Sequence, residues 1–253
     1  MIQAFDRRKT LGCIADPPNA FAWPMHMLCG ASPLPLPEAS ALPLDPPVSD
    51  QGPTQSCVGQ AIARAISIRS AIMGCAVSPS AFGLYALARA MLRTEPAWPL
   101  EDHGTMPSAA YLAAQTWGLP AETDWPSDWT RVNDEPTLGR MLASDAVRLA
   151  GWYRCAGPDD VRRAISQGYP VTAGLWASNE ICDNRGEPIE THGPVGIGGH
   201  YVTIEAYDGL RGGSFEIANS WGKYWGFGGK AWCSEQFISQ CYSVYAVDLK
   251  TSL

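Results

Sequence analysis

The stretch that decides the reading of this chain is "SDQGPTQSCVGQAIARAI", Ser49 to Ile66. A polar loop carrying Pro and Gly breaks directly into a helical pattern, and Cys57 sits on the break. Ile62, Ala65, Ile66, Arg69, Ile72 and Met73 then recur at three- and four-residue steps until Gly74, which predicts an amphipathic helix opening at the cysteine. A thiol there faces unpaired backbone N–H groups and the positive end of the helix dipole, both of which favour thiolate. One such cysteine is most often an inert packing residue, so the chemistry must be sought elsewhere in the chain.

Working outward, "SAFGLYALARAML" over Ser80 to Leu92 predicts a second helix. "PSAAYLAAQTW" predicts a third over Pro107 to Trp117, opened by Pro and closed by Gly118. A fourth spans Pro158 to Ser166, with Asp159 and Asp160 in the first turn, where the dipole favours acids. Beyond this point the period changes. "YPVTAGLWA" (Tyr169 to Ala177), "GHYVTIEAYD" (Gly199 to Asp208), "SFEIANSWG" (Ser214 to Gly222), "GGKAWCS" and "YSVYAVDL" alternate and end on turn residues, as strands do. Helices followed by strands predict an α+β architecture. On the N-terminal side, residues 13 to 53 are Pro-rich, which predicts an extended segment with few backbone pairings of its own. Phe21, Trp23, Met25 and Met27 give it apolar material a free linker does not need. It reads either as a tail packed along the body or as a short regulatory segment in a cleft.

The chain has 253 residues, 46% of them hydrophobic and 17% charged, with a formal net charge of -7. It has no Lys/Arg run longer than the three residues Arg7-Arg8-Lys9, which argues against nucleic acid or an anionic membrane as partner. It also has no apolar run near the ~20 residues that span a bilayer. The first residues lack an apolar signal core, so a cytoplasmic location is expected. Eight cysteines and four histidines form no C-x-x-C pair, so a zinc site is not expected, and no metal or cofactor is called for. Reduced thiols are expected, with Cys233 and Cys241 the pair closest to a disulfide arrangement.

A cysteine nucleophile needs a base, an orienter for that base and an oxyanion donor. His200, in "GIGGHYVTIEAYD", heads a strand behind two glycines. Asn219, in "EIANSWGKYWGFGG", ends the next strand. Adjacent antiparallel strands place both side chains at one end of a sheet. His192 is the rival base, but "ETHGPVGIGG" reads as a turn. His26 and His103 read as surface or packing residues, and Trp225 and Trp232 as core.

With these blocks in view, the chain from Val48 to Leu249 resembles the papain-like cysteine peptidases, through "DQGPTQSCVGQA", "GGHYVTIEAYD" and "IANSWGKYWGFGG". Gln51 stands six residues before Cys57, and His200 follows Cys57 by 143, within the roughly 130 to 150 expected. The resemblance implies a two-lobe fold: a mainly helical N-terminal lobe and an antiparallel β-rich C-terminal lobe, with the active-site cleft between. It implies Cys57 as nucleophile, with a pKa of about 3 to 4 when paired with His200, Asn219 as orienter of His200, and Trp221 as shield for that hydrogen bond. Gln51 becomes the oxyanion donor, and Gly104 pairs with the backbone of a peptide or protein substrate. The division implied is an N-terminal extension over residues 1–47, in possible contact with the cleft, and a catalytic domain over 48–253.

The pattern departs in places. Val58, Gly59 and Gln60 follow the nucleophile where the family has a Trp and small or aromatic residues. Thr54 replaces a family cysteine, and Glu101 and Asp102 stand near its missing disulfide partner. Two rivals to a peptidase remain: a catalytically silent papain-fold binding module, and a transpeptidase or amidase using the same triad.

Overall fold

The computed structural model describes residues 7–30, 35–95, 99–137, 147–192, 197–212 and 214–250. Seven helices are described: α1 His26–Cys29, α2 Cys57–Ile72, α3 Ala81–Leu92, α4 Pro107–Thr116, α5 Pro158–Ser166, α6 Asn179–Asp183 and α7 Glu235–Gln240. Eight strands accompany them: β1 Trp23–Pro24, β2 Ala39–Ala41, β3 Leu149–Arg154, β4 Val171–Ala177, β5 Gly198–Asp208, β6 Ser214–Ala218, β7 Lys230–Cys233 and β8 Ser243–Leu249.

Three helices, α3, α4 and α5, start where local chemistry directs. Ser80 caps α3 by accepting a hydrogen bond from the Gly83 N–H at 2.8 Å. Pro107 opens α4 and Pro158 opens α5 at positions whose N–H has no helical partner. Helix α2 is buried almost all round, so it is a central helix and not a surface one. It packs on α3 at a close crossing, where a Cβ on Gly59 would fall 2.4 Å from the Ala81 carbonyl oxygen.

The strands form one sheet in the order β1-β3-β8-β4-β5-β6-β7, antiparallel except for the β1–β3 edge pair. Strand β2 pairs with the far end of β5, Ala206–Asp208, beyond the reach of β4. Two large apolar cores result, beside a small third cluster of Phe82, Ala86, Leu100 and Trp125. One lies among α2, α3, α4 and the β3/β8 side of the sheet, around Ile62, Ile66, Leu84, Tyr111 and Trp152. The other lies among α5, α6, α7 and the rest of the sheet, around Ile165, Leu175, Ile217, Trp225 and Phe237. This is the helical lobe and β-rich lobe expected.

Two expectations change. The Pro-rich stretch is not poor in pairings: Trp23–Pro24 add to β3 and Ala39–Ala41 add to β5. Proline suits these places because each is a short strand at an edge of the pairing. Trp232 is half-buried on the outer face, with the Arg211 guanidinium 4.8 Å from its ring centroid, and is not a core residue. The cysteines agree with the expectation of reduced thiols: none of the eight, Cys233 and Cys241 included, is in a disulfide.

Residues 45–47 are held by a charged knot. The buried Arg64 guanidinium on α2 binds the Glu205 carboxylate, donates to Asp45 Oδ1 at 2.8 Å and also reaches the Pro46 carbonyl. Lys230 Nζ closes the ring with Asp45 at 2.8 Å and Glu205 at 3.2 Å. A buried pair of this kind is costly to break from one side, because the partner is left charged and dry. Arg64→Met is therefore expected to lower stability by about 3 kcal/mol or more, read as a drop in the thermal midpoint.

Candidate active site

Cys57 opens α2 and is fully buried. The backbone N–H groups of Gly12, Tyr201, Val58 and Cys57 itself point at its sulfur, so the sulfur lies beside the His200–Tyr201 peptide. His200 Nε2 donates to Asn219 Oδ1 at 2.7 Å, and its Nδ1 has no hydrogen-bond partner among the described residues. The indole of Trp221 stacks on the imidazole with centroids 4.2 Å apart and planes 21° apart, covering the His200–Asn219 bond.

The β5–β6 register makes this possible. Thr203 pairs with Ala218, so His200 near the start of β5 and Asn219 just past β6 meet at one end of the sheet. Backbone pairing then clips the loop before Cys57 to the Asn219 loop: the Gln51 N–H donates to the Ser220 carbonyl at 2.8 Å and the Gly222 N–H to the Ser49 carbonyl at 3.0 Å. The Gln51 amide is orientated by the Ser220 hydroxyl, which donates to its Oε1 at 2.6 Å and leaves Nε2 as a donor into the cleft.

That donor is occupied. Gln51 Nε2 donates to the Thr10 carbonyl at 2.9 Å. From there the segment Thr10–Ile14 runs between the two lobes. The Thr105 N–H donates to the Gly12 carbonyl, the Cys13 N–H to the Gly199 carbonyl and the Ile14 N–H to the Thr105 carbonyl, each at 3.0 Å. The bridge between Cys13 and Thr105 is parallel. Further on, the Asp16 carboxylate accepts from the Ser108 N–H in the first turn of α4 at 2.9 Å. The chain's own N-terminal residues thus lie along the cleft.

The structure brings Cys57, His200, Asn219, Gln51 and Trp221 together at one place, and refines the sixth residue. Gly104 approaches the segment closely, with a φ of +79° and space for no Cβ, which would lie 2.1 Å from the Gly12 carbonyl oxygen. Its N–H, however, is taken by the Tyr85 hydroxyl at 2.8 Å. The next residue, Thr105, makes the cleft-edge pairings. A glycine in a turn signals close approach, but which neighbour turns its peptide into the cleft is not a sequence signal. His192 lies elsewhere, edge-on to Phe237, while His26 and His103 are exposed.

Where a disulfide partner is missing, a carboxylate stands. Asp102 Oδ1 accepts from the Gln55 N–H at 3.0 Å and from the Tyr85 hydroxyl at 2.7 Å, so it joins the loop before Cys57 to the cleft edge.

Burial also corrects the expected charge state. Desolvation by burial pushes the Cys57 thiol up to about 12, outweighing the four N–H groups that act the other way. Desolvation likewise pushes His200 down to about 4, against the hydrogen bond it donates to Asn219. In the covered cleft the pair is a neutral thiol and a neutral imidazole, not a thiolate–imidazolium pair.

A buried neutral histidine makes stability depend on pH. Unfolded, His200 takes a proton as pH falls below about 6.5. Folded, it does so only near pH 4, so stabilisation present above pH 6.5 is lost between 6.5 and 4. The full loss is roughly 3 kcal/mol. Thermal midpoints of the parent and of His200→Gln, compared at pH 7 and pH 4.5, are expected to converge at the lower pH.

The fold matches solved structures over nearly its whole length. Xylellain, a cysteine protease from Xylella fastidiosa, superposes with a TM-score of 0.80 at 22% identity, covering 100% of both chains. Procathepsin B S9 from Trypanosoma congolense gives 0.77 at 16% identity, covering 99% of this chain and 90% of its own. Procathepsin L 3 of the Tenebrio molitor larval midgut gives 0.72 at 16% identity, covering 95% and 76%. No family model matches the sequence and no curated protein matches it significantly. A buried cysteine at the head of α2, a His–Asn pair at the end of the sheet and these superpositions agree: the chain has the papain-like cysteine-protease fold.

Proposed function

We propose that the protein is a cysteine peptidase with an N-terminal extension (residues 1–47) and a catalytic part (48–253), held closed by Thr10–Ile14 of the extension, which lie in the cleft. The observation that carries this reading is the His200–Asn219 hydrogen bond under Trp221, formed beside a cysteine sulfur on a helix N-terminus. With the segment displaced and water admitted, the desolvation that keeps both groups neutral is relieved. The proton passes from Cys57 Sγ to His200 Nδ1 and the ion pair forms.

The thiolate then attacks the scissile carbonyl carbon. The oxygen takes the negative charge while Gln51 Nε2, freed from Thr10, and the Cys57 N–H donate to it. The C–N bond breaks as His200 gives its proton to the leaving amine, leaving a thioester on Cys57. Water, deprotonated by His200, attacks the thioester, releases the carboxylic acid and returns the sulfur. Asn219 holds the ring orientation throughout. Gln51→Ala is expected to lower kcat about a hundredfold with a small change in KM, since an oxyanion donor acts mainly on the transition state.

Intact-mass labelling by an epoxide inhibitor of papain-like enzymes tests the proposal, using the full chain and a Gly12→Val variant that cannot seat the segment. A single adduct on Cys57 that forms faster in the variant supports it. The competing reading, a silent binding module, is favoured by the occupied cleft and the neutral pair. No adduct in either protein establishes it instead.

A further inference from the structure

The segment in the cleft also reports the size of one pocket. Cys13 is 5% exposed, its N–H bonded to the Gly199 carbonyl and its backbone bridged to Thr105. Its thiol lies against Tyr242, which packs on the same apolar cluster as Cys13, Cys57 and Tyr201. The Tyr242 hydroxyl is buried and forms no well-aligned hydrogen bond.

Tyr242 has nowhere to retreat. Its ring lies on Gly174, where an added Cβ would fall 2.5 Å from Cε2. Trp176 flanks it with ring centroids 5.0 Å apart, and the Tyr242 backbone N–H donates to the Gly174 carbonyl at 2.9 Å. On the opposite wall, a Cβ on Gly199 would fall 3.0 Å from the Tyr242 hydroxyl. A cysteine side chain, two heavy atoms long, fills the space between. A longer one must displace a clamped aromatic ring, and overpacking of that kind costs more than a small pocket can return.

We propose that Tyr242 is a specificity-determining residue: it closes the pocket that Cys13 fills, so the opened cleft takes peptides with a small side chain (alanine, serine or cysteine) at that position. This rests on the peptidase reading above, and the experiment separates the two.

The first half uses the full-length chain and follows iodoacetamide alkylation of Cys57 by peptide mapping. Cys13→Leu is expected to expel the segment and speed alkylation at least tenfold, whereas Cys13→Ala leaves it slow. Adding Tyr242→Ala to Cys13→Leu makes room and returns the slow rate. The second half compares peptides differing at this position on the opened Cys13→Leu chain. Alanine is expected to exceed leucine in kcat/KM at least tenfold, since one or more methylenes in a pocket are worth about 10- to 200-fold. Tyr242→Ala reverses the order, and Tyr242→Phe, which keeps the ring, preserves it. The proposal is overturned if Cys13→Leu alkylates as slowly as the parent, or if leucine is preferred while Tyr242 is present. If Cys57 alkylates but no peptide is cleaved, the peptidase reading fails and the alkylation series alone decides the pocket. Should Tyr242→Ala not fold, Tyr242→Phe and the Cys13 series carry the same decision.

Discussion

Replacing Cys57 by alanine is expected to abolish peptide hydrolysis, by roughly 10⁵-fold or more, with the fold intact. Losing the nucleophile of a catalytic unit removes the whole covalent route, and the other members then contribute little. The neighbouring hydroxyl does not substitute, because Ser56 Oγ is buried and engaged with Thr54 Oγ1 at 2.8 Å. The structural loss is a single buried sulfur that makes no ion pair, about 1 kcal/mol, or a few degrees in the thermal midpoint. The measurement is turnover of a peptide by Cys57→Ala in the Gly12→Val background, beside its melting curve. Hydrolysis above a few per cent of the parent with an unchanged melt assigns the chemistry to another residue.

The second large effect is expected from the other side of the cleft, where Gly12→Val opens the covered site. A Cβ at residue 12 would fall 2.0 Å from the Gln55 carbonyl oxygen and 2.5 Å from the Gln55 Cβ. The wall it meets is backbone, and the Asp102 carboxylate holds that backbone by the Gln55 N–H. The segment must therefore yield. Leaving, it gives up four hydrogen bonds, from Gln51 to Thr10 and among Gly12, Cys13, Ile14, Thr105 and Gly199. At about 1 kcal/mol net apiece the closed state loses up to about 4 kcal/mol. Alkylation of Cys57 and peptide turnover are both expected to rise between about tenfold and a thousandfold. Equal rates in parent and variant would show that the segment does not limit access. A point substitution is the right tool here. Deleting residues 1 to 45 would also remove Met25 and Leu42 from the core, β2 from the sheet and Asp45 from its buried charges.

Much of this was legible in the sequence because the signals are local. Cys57, Pro107 and Pro158 mark helix starts to the residue, Ser80 is the cap of its helix, and the five predicted strands differ from the observed ones mainly at their ends. The spacing of Cys57, His200 and Asn219 carried the site, since the β5–β6 hairpin fixes the last two by register alone. What was not legible depends on distant pairing. Strand β3, "LAGWYR", has no clean alternation and forms only because β8 and the Pro-rich β1 lie on either side. Thr105 is an ordinary residue until Gly12 and Ile14 arrive ninety residues earlier in the chain to pair with it. Ser220 is read as part of a motif, yet its hydroxyl grips the amide of Gln51. The neutral state of Cys57 and His200 is a property of the covered cleft, which no residue of the pair announces.

One consequence follows from the cleft occupant belonging to the same chain. Just downstream of Ile14, Asp16 is bonded to α4, Trp23–Pro24 are paired with β3, and Met25 is buried in the β-rich core. So short a tether presents the segment to its groove at an effective concentration on the order of millimolar. Closure is then independent of how dilute the protein is, and a competing substrate at micromolar levels does not displace it. A free peptide spanning Arg8 to Asp16 has no such advantage, and re-closing an opened molecule with it takes roughly millimolar peptide. One chain break between the groove and the sheet would turn a permanent occupant into a dissociating one, lost by dilution alone.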